Sequence, residues 1–147
     1  GDGRVDIAYY RMAGTQAQKG AYLNTGSGWK WAPEYTPPYP IMEDGKGDLR
    51  VQLIDLNGDG TLDIAYHRWN NGKIEKGAYL NIPGLIPHTG TNWQYSPEYT
   101  PPYHIFADGI GDLGARFVDV DGDGLADMVY HRWFNGNVMK GAHVNTR

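Results

Sequence analysis

Apolar and polar positions alternate along this chain in short bursts, each closed by a cluster of turn residues. Arg50-Val51-Gln52-Leu53-Ile54-Asp55 has strand composition, a Gly-rich loop follows, and Leu62-Asp63-Ile64-Ala65-Tyr66-His67-Arg68-Trp69 again reads as a strand. Asn70-Asn71-Gly72-Lys73 predicts a tight hairpin, because Asn71-Gly72 tolerates the positive φ that a two-residue turn demands. Lys76-Gly77-Ala78-Tyr79-Leu80-Asn81 supplies a third strand and Asn92-Trp93-Gln94-Tyr95 a fourth, which Pro101-Pro102 confines to a sheet edge. The unit so described is a four-stranded antiparallel meander.

The unit recurs. Pro33-Glu34-Tyr35-Thr36-Pro37-Pro38-Tyr39 returns letter for letter as Pro97 through Tyr103, 64 residues on, and Asp55-Leu56-Asn57-Gly58-Asp59-Gly60 returns as Asp119-Val120-Asp121-Gly122-Asp123-Gly124. Gly1 through Tyr9 aligns with Gly58 through Tyr66 at a spacing of 57, the difference being a seven-residue loop insertion near 82–89. The repeats divide as 1–57, lacking a first strand, 58–121 with the insertion, and a partial copy at 122–147. Four-stranded units at this period predict an all-β chain of β-propeller-type blades, about two and a third of them; a linear run of sheets or a single sandwich is the alternative. So few strands fall short of a closed propeller, which predicts either a segment of a longer chain or assembly with copies of itself.

Composition narrows the picture. Gly and Pro make up about one residue in five of the 147, too many for long helices, while the 13% aromatic content argues for a packed core. No apolar run approaches the roughly 20 residues of a membrane span, and no basic-apolar leader is visible. The absence of Cys excludes disulfides, thiolate metal sites and a cysteine nucleophile. The net charge of -4 is uneven: nine of the 17 acidic residues fall in the three Asp-Gly loops, so two bound divalent cations would neutralise the chain. No Lys/Arg stripe suggests nucleic acid.

Those loops carry the clearest chemistry. Asp119, Asp121, Asp123 and Asp127 occupy loop positions 1, 3, 5 and 9, with Gly124 at the sharp turn and the Leu125 carbonyl at position 7. Asp55, Asn57, Asp59, the Thr61 carbonyl and Asp63 repeat the pattern; in the first loop only Asp2, the Arg4 carbonyl and Asp6 remain. All-oxygen ligation favours Ca²⁺ over Zn²⁺, and strand-like flanks without a twelfth-position Glu exclude an EF-hand. The alternative is a plain hairpin turn. Asp44/Asp48 and Asp108/Asp112 read as ordinary turns before they read as a second cation site.

With this loop between strands, an Asn-Gly hairpin and a closing Gly-aromatic segment, the chain resembles the FG-GAP/VCBS-type repeats of integrin-like propellers, found also in some fungal lectins and in large secreted surface and toxin proteins. The resemblance implies calcium held by Asp55, Asn57, Asp59, Thr61 and Asp63 and by Asp119, Asp121, Asp123, Leu125 and Asp127. It also implies an extracellular setting and an adhesion-type or lectin-like role. The Phe-Gly pair of the family is replaced by Tyr66-His67-Arg68-Trp69 and Tyr130-His131-Arg132-Trp133. These tetrads read either as blade-to-blade packing or as a sugar platform, with rings stacking on C–H faces and Arg donating to hydroxyls.

The proline segment reads as an edge-strand stop, or else as an extended recognition surface. No catalytic residues emerge: Glu34 and Glu98 occupy equivalent positions that diverge between blades, and Ser27 and Ser96 lack a recognisable His and Asp partner. The expected function is a calcium-stabilised, non-catalytic extracellular module that binds glycan or protein. Its rival is a purely structural spacer repeat.

Overall fold

The computed structural model describes residues 2–85 and 90–146; the second half of the insertion near 82–89, residues 86–89, lies outside the described residues. Strands dominate and no α-helix is present among the described residues. Strands β1 (Ile7–Ala13), β2 (Gln16–Asn24) and β3 (Trp29–Trp31) form the first sheet. The second is an antiparallel meander of β6 (Gln52–Ile54), β7 (Asp63–Asn70), β8 (Lys73–Asn81) and β9 (Trp93–Tyr95). The third holds β12 (Ala115–Val118), β13 (Asp127–Phe134) and β14 (Asn137–His143). This is the expected blade architecture, with the Asn-Gly hairpin formed as predicted: Asn71 and Gly72 both take positive φ, 47° and 83°.

Four short strands add a feature that the strand pattern did not announce. β4 (Met42–Glu43) with β5 (Gly47–Asp48), and β10 (Phe106–Ala107) with β11 (Gly111–Asp112), are hairpins closed by the Asp-Gly-x-Gly-Asp turns. Each hairpin lies parallel to the second half of the long strand of the preceding blade, β4 on β1 and β10 on β7. One edge of β7 is thus shared, by β6 at Asp63–Ala65 and by β10 at Arg68–Trp69.

The edge strands β3 and β9 end two residues before the proline segment, as a strand stop requires, and the segment then turns. Pro33–Tyr35 and Pro97–Tyr99 fold as single 3₁₀ turns, each with Pro in its first turn, where its missing N–H costs nothing. The following Pro37 and Pro101 are fully buried and anchor the segment against the blades, while Pro33, Pro97, Glu98 and Pro102 stay exposed. The segment carries the chain between blades and plants a tyrosine on the next one.

That tyrosine makes the blade junction. Side chains alternate across β7, so Ile64 and Tyr66 face one way and Ala65 the other. Ile64 and Tyr66 pack with Trp93, Tyr39, Val51 and Tyr79, whereas Ala65, Leu56, Ala78 and Leu80 meet Tyr99 of the next connection and Phe117 of the third sheet. Tyr39 stacks on Tyr66 with ring centroids 3.7 Å apart, and Tyr103 repeats the contact on Tyr130 at 4.0 Å. Gly77, opposite Tyr66 in the ladder, must be Gly: a Cβ there would stand 2.7 Å from the tyrosine hydroxyl. Gly20 opposite Tyr9 and Gly141 opposite Tyr130 face their tyrosine hydroxyls at the same distance.

Candidate metal centre

Each complete Asp-Gly loop joins the first strand of a blade to its long second strand and is wound around its own carboxylates. Asp55 accepts the amides of Gly58 and Gly60, both at 2.8 Å, Asn57 accepts from Asp59 N–H, and Asp59 accepts from the Thr61 amide and hydroxyl. Asp63 opens β7, accepting Leu56 N–H on one oxygen and Asn81 N–H on the other, both at 2.9 Å. The third loop copies these bonds with Asp119 to Gly122 and Gly124, Asp121 to Asp123, Asp123 to Leu125, and Asp127 to Val120 and Asn145. In the first loop Asp2 is paired with the Arg4 guanidinium at 2.8 Å, and Asp6 accepts Asn24 N–H.

The ninth-position aspartates are the fixed points. Asp63 and Asp127 are completely buried, and each ties the loop to the end of the third strand of its blade through an asparagine amide. The repeated Asn24, Asn81 and Asn145 are therefore part of the loop's frame, a role visible in the sequence only as their recurrence. Burial pushes the Asp63 carboxyl up to about 6, with the Asn81 and Leu56 hydrogen bonds opposing and Asp59 and Asp55 adding repulsion. The Val120 and Asn145 amides hold Asp127 below the usual carboxylate range.

The donor set suits a hard cation. Asp119, Asp121 and Asp127 each offer a carboxylate oxygen, and the three lie within 4.8 Å of one another, with Asp127 buried and the other two open to solvent. Such an all-oxygen cluster fits a divalent ion that takes six to eight oxygens and completes its shell with carbonyls and water. Among the described residues no other group of three acidic or imidazole ligands converges in this way. The second loop carries Asn57 where the third has Asp121, and the Asn57 amide is spent on Asp59 at 3.0 Å. The first loop offers two carboxylates, one of them already neutralised by Arg4.

The tetrads lie elsewhere. Tyr66, His67 and Arg68 are buried in the blade junction, where His67 Nδ1 meets the Pro101 carbonyl at 2.7 Å. Arg68 donates to both oxygens of Asp108, at 2.8 and 3.1 Å, and to Glu43 at 3.1 Å, inside a network that Lys46 completes. In the third blade Tyr130 is stacked under Tyr103 and Arg132 lies over Phe134, while His131 is exposed. Trp69 and Trp133 are exposed, the latter by 71%. Asp44 and Asp108 accept from Arg11 and Arg68, and Asp48 and Asp112 accept from Arg50 and Gly114 N–H, so these turns hold ion pairs and hairpin bonds. The Arg-to-Asp pairing escaped the sequence analysis, although both partners recur 33 and 40 residues apart in successive repeats.

No helix among the described residues is long and apolar enough to cross a membrane. No curated protein and no solved structure matches the chain. Residues 1–66, which take in the first Asp-Gly loop, the whole first sheet and the second loop up to the start of β7, match the family of FG-GAP-like repeats. Residues 1–66 are thus similar to FG-GAP-like repeats, and the described strands form propeller-type β blades of antiparallel meanders, the architecture of a binding or structural module.

Proposed function

We propose that this chain is a calcium-stabilised, non-catalytic recognition module of an extracellular protein, with glycan or protein as ligand. The observation that carries the calcium reading is the convergence of Asp119, Asp121 and Asp127 on one point within 4.8 Å, with Asp127 buried at the base. When bound, the ion supplies the positive charge that this cluster otherwise lacks. The chain's own part is to hold the carboxylates in place through the Gly122, Gly124, Val120 and Asn145 amides.

The ligand reading rests on aromatic surface. With Tyr66, His67 and Arg68 enclosed, the exposed Trp69 in the middle blade and His131 and Trp133 in the third are the members of the two tetrads that a sugar ring or a partner side chain can reach. A spacer role draws its support from the same enclosure, since three of the four residues in the middle tetrad are spent on packing.

Because an ion that binds only the folded chain stabilises it by mass action, the test is thermal unfolding of chelator-stripped protein as Ca²⁺ is returned, with Mg²⁺ as control. At 100 times the dissociation constant the gain is about 2.7 kcal/mol. The midpoint is expected to climb with Ca²⁺ and saturate, and Asp127→Asn is expected to remove the larger part of the climb. A flat midpoint reduces the loops to turns. A glycan array then separates lectin from spacer, and silence for both glycans and candidate protein partners leaves the spacer.

A further inference from the structure

The junction of the middle and third blades encloses two histidines whose bonding capacity is not used up. His67, on β7, is 5% exposed, and its Nδ1 lies 2.7 Å from the Pro101 carbonyl. A carbonyl only accepts, so Nδ1 carries the hydrogen and Nε2 of the neutral ring keeps a bare lone pair. That Nε2 is buried and has no hydrogen-bond partner among the described residues. His104 lies in the connection leading to β10, its ring centroid 4.3 Å from that of His67 and its plane tilted by 60°. Its Nδ1 is likewise buried and without a partner among the described residues. Buried polar atoms are ordinarily paired, and here two orphans sit on adjoining rings. The backbone holds the pair in place without requiring it. Ile105 N–H donates to the His67 carbonyl at 2.8 Å, which ties the residue after His104 to β7. The junction of the first and middle blades makes the same bond, Ile41 N–H to the Tyr10 carbonyl at 2.9 Å, with Tyr10 and Pro40 at the two positions. A junction of this kind therefore closes without either histidine.

We propose that His67 Nε2 and His104 Nδ1 are the protein ligands of a site for a divalent transition-metal ion of the class that prefers imidazole, Zn²⁺, Ni²⁺ or Cu²⁺. A metal-bound histidine almost always donates its other ring N–H to a carbonyl or carboxylate, and His67 makes that bond to Pro101. An imidazole nitrogen sits about 2.0 to 2.1 Å from zinc, so rings this close can share one ion. Burial pushes the His67 imidazole down, and burial with the positive charges of Lys76 and Arg132 does the same to His104. Both rings are thus held neutral, the form that binds a metal. The same two cations weaken the hold on an ion and set the affinity below that of a site with carboxylates. His104 is only half-buried and stands edge-on to the exposed Trp69, with centroids 6.2 Å apart, which leaves that side for entry and for the water that completes the shell. The nitrogen ligands discriminate against Ca²⁺ and Mg²⁺, and the site is separate from the Asp-Gly loops and independent of the calcium reading.

The probe is Zn²⁺, titrated into the full chain in excess Ca²⁺, which competes for carboxylates and leaves imidazoles free. Ring nitrogens are followed by ¹H–¹⁵N NMR. The His67 and His104 signals are expected to shift together and saturate, while those of His131 and His143 stay in place. This reading needs no variant and so does not depend on one folding. In calorimetry, His67→Asn keeps a donor for the Pro101 carbonyl and loses the ligand nitrogen, and His104→Ala loses the other. Each is expected to weaken Zn²⁺ binding at least about tenfold, the lower bound for disturbing even an outer partner of a metal ligand. No shift of either ring up to about 1 mM Zn²⁺ reduces the pair to packing and overturns the proposal. Binding that moves His131 or His143 instead, or that survives both substitutions, belongs to other ligands and overturns it as well.

Discussion

The middle and first blades share a sequence pattern and differ in their surroundings. Ile64 and Ile7 occupy the same rung of equivalent hairpins, yet Ile64 is fully enclosed and Ile7 is 43% exposed; Trp93 is 8% exposed and its counterpart Trp29 54%. The local fold is the same in both, with the long strands in identical register to their hairpin partners. What differs is the tyrosine delivered from the preceding connection, present over Tyr66 and absent over Tyr9 among the described residues. A blade's burial therefore belongs to its junctions. Each repeat encodes both halves of an interface, and among the described residues only the middle one has both halves matched, as expected for stacked repeats whose stability is a sum of unit and nearest-neighbour contributions.

The ion pairs break the comparison most sharply. Arg68 is buried and committed to Asp108 and Glu43, while its counterpart Arg11 meets Asp44 at the surface. Arg68→Ala empties a buried position and leaves the half-buried Asp108 and Glu43 carboxylates to Lys46 alone, and is expected to cost about 3 kcal/mol, the low end for breaking a buried pair. Arg11→Ala is expected to leave the chemical-denaturation midpoint where it was, as for most exposed pairs. Equal costs would mean that the junction does not exist in solution.

Apolar truncation comes next. Ile64→Ala removes side-chain atoms from a filled space and is expected to cost about 3 kcal/mol in urea unfolding, whereas Ile7→Ala empties nothing enclosed and is expected to cost under about 1 kcal/mol. A large effect at Ile7 would show that something covers the first blade.

The third test uses acid. Burial pushes the His67 imidazole down to about 4, the Pro101 hydrogen bond opposing. The unfolded chain, with an ordinary imidazole near 6.5, takes up its proton first as pH falls, so stability is complete above about 6.5 and is lost progressively down to about 4. The full loss is about 3 kcal/mol. His67→Asn keeps a donor for the Pro101 carbonyl and is expected to remove this part of the acid slope.

The blades, the Asn-Gly hairpin and the Asp-Gly loops were legible because each is local: alternation, positive-φ residues and carboxylate spacing are written in consecutive residues. The junction was not. Arg68 finds Asp108 across 40 residues, and β10 pairs with β7 across a buried proline segment, so neither contact leaves a short-range signature. The tetrads show the limit most plainly. Tyr, His, Arg and Trp suit a sugar platform or a packed interface equally well by chemistry, and what decides between them is Tyr39, which lies 27 residues before Tyr66 in a segment that reads as an edge-strand stop.

The smallest expected difference concerns glycine. At both Gly77 and Gly20 a Cβ would press on the facing tyrosine hydroxyl, at 2.7 Å in each case, and on an aromatic ring, Tyr95 at 2.9 Å or Trp31 at 2.3 Å. Distances alone would make Gly20 the costlier site. The neighbours reverse that order: Trp31 and Tyr9 are both substantially exposed and can swing aside, whereas Tyr66 is pinned beneath Tyr39 and cannot yield without opening the junction. Gly77→Ala is therefore expected to cost about 1 to 3 kcal/mol, as for overpacking in a closed site, and Gly20→Ala less. Thermal unfolding of the two variants side by side checks the order. If Gly20→Ala proves the more damaging, Trp31 is held as firmly as Tyr66, and the bare face of the first blade is covered in solution.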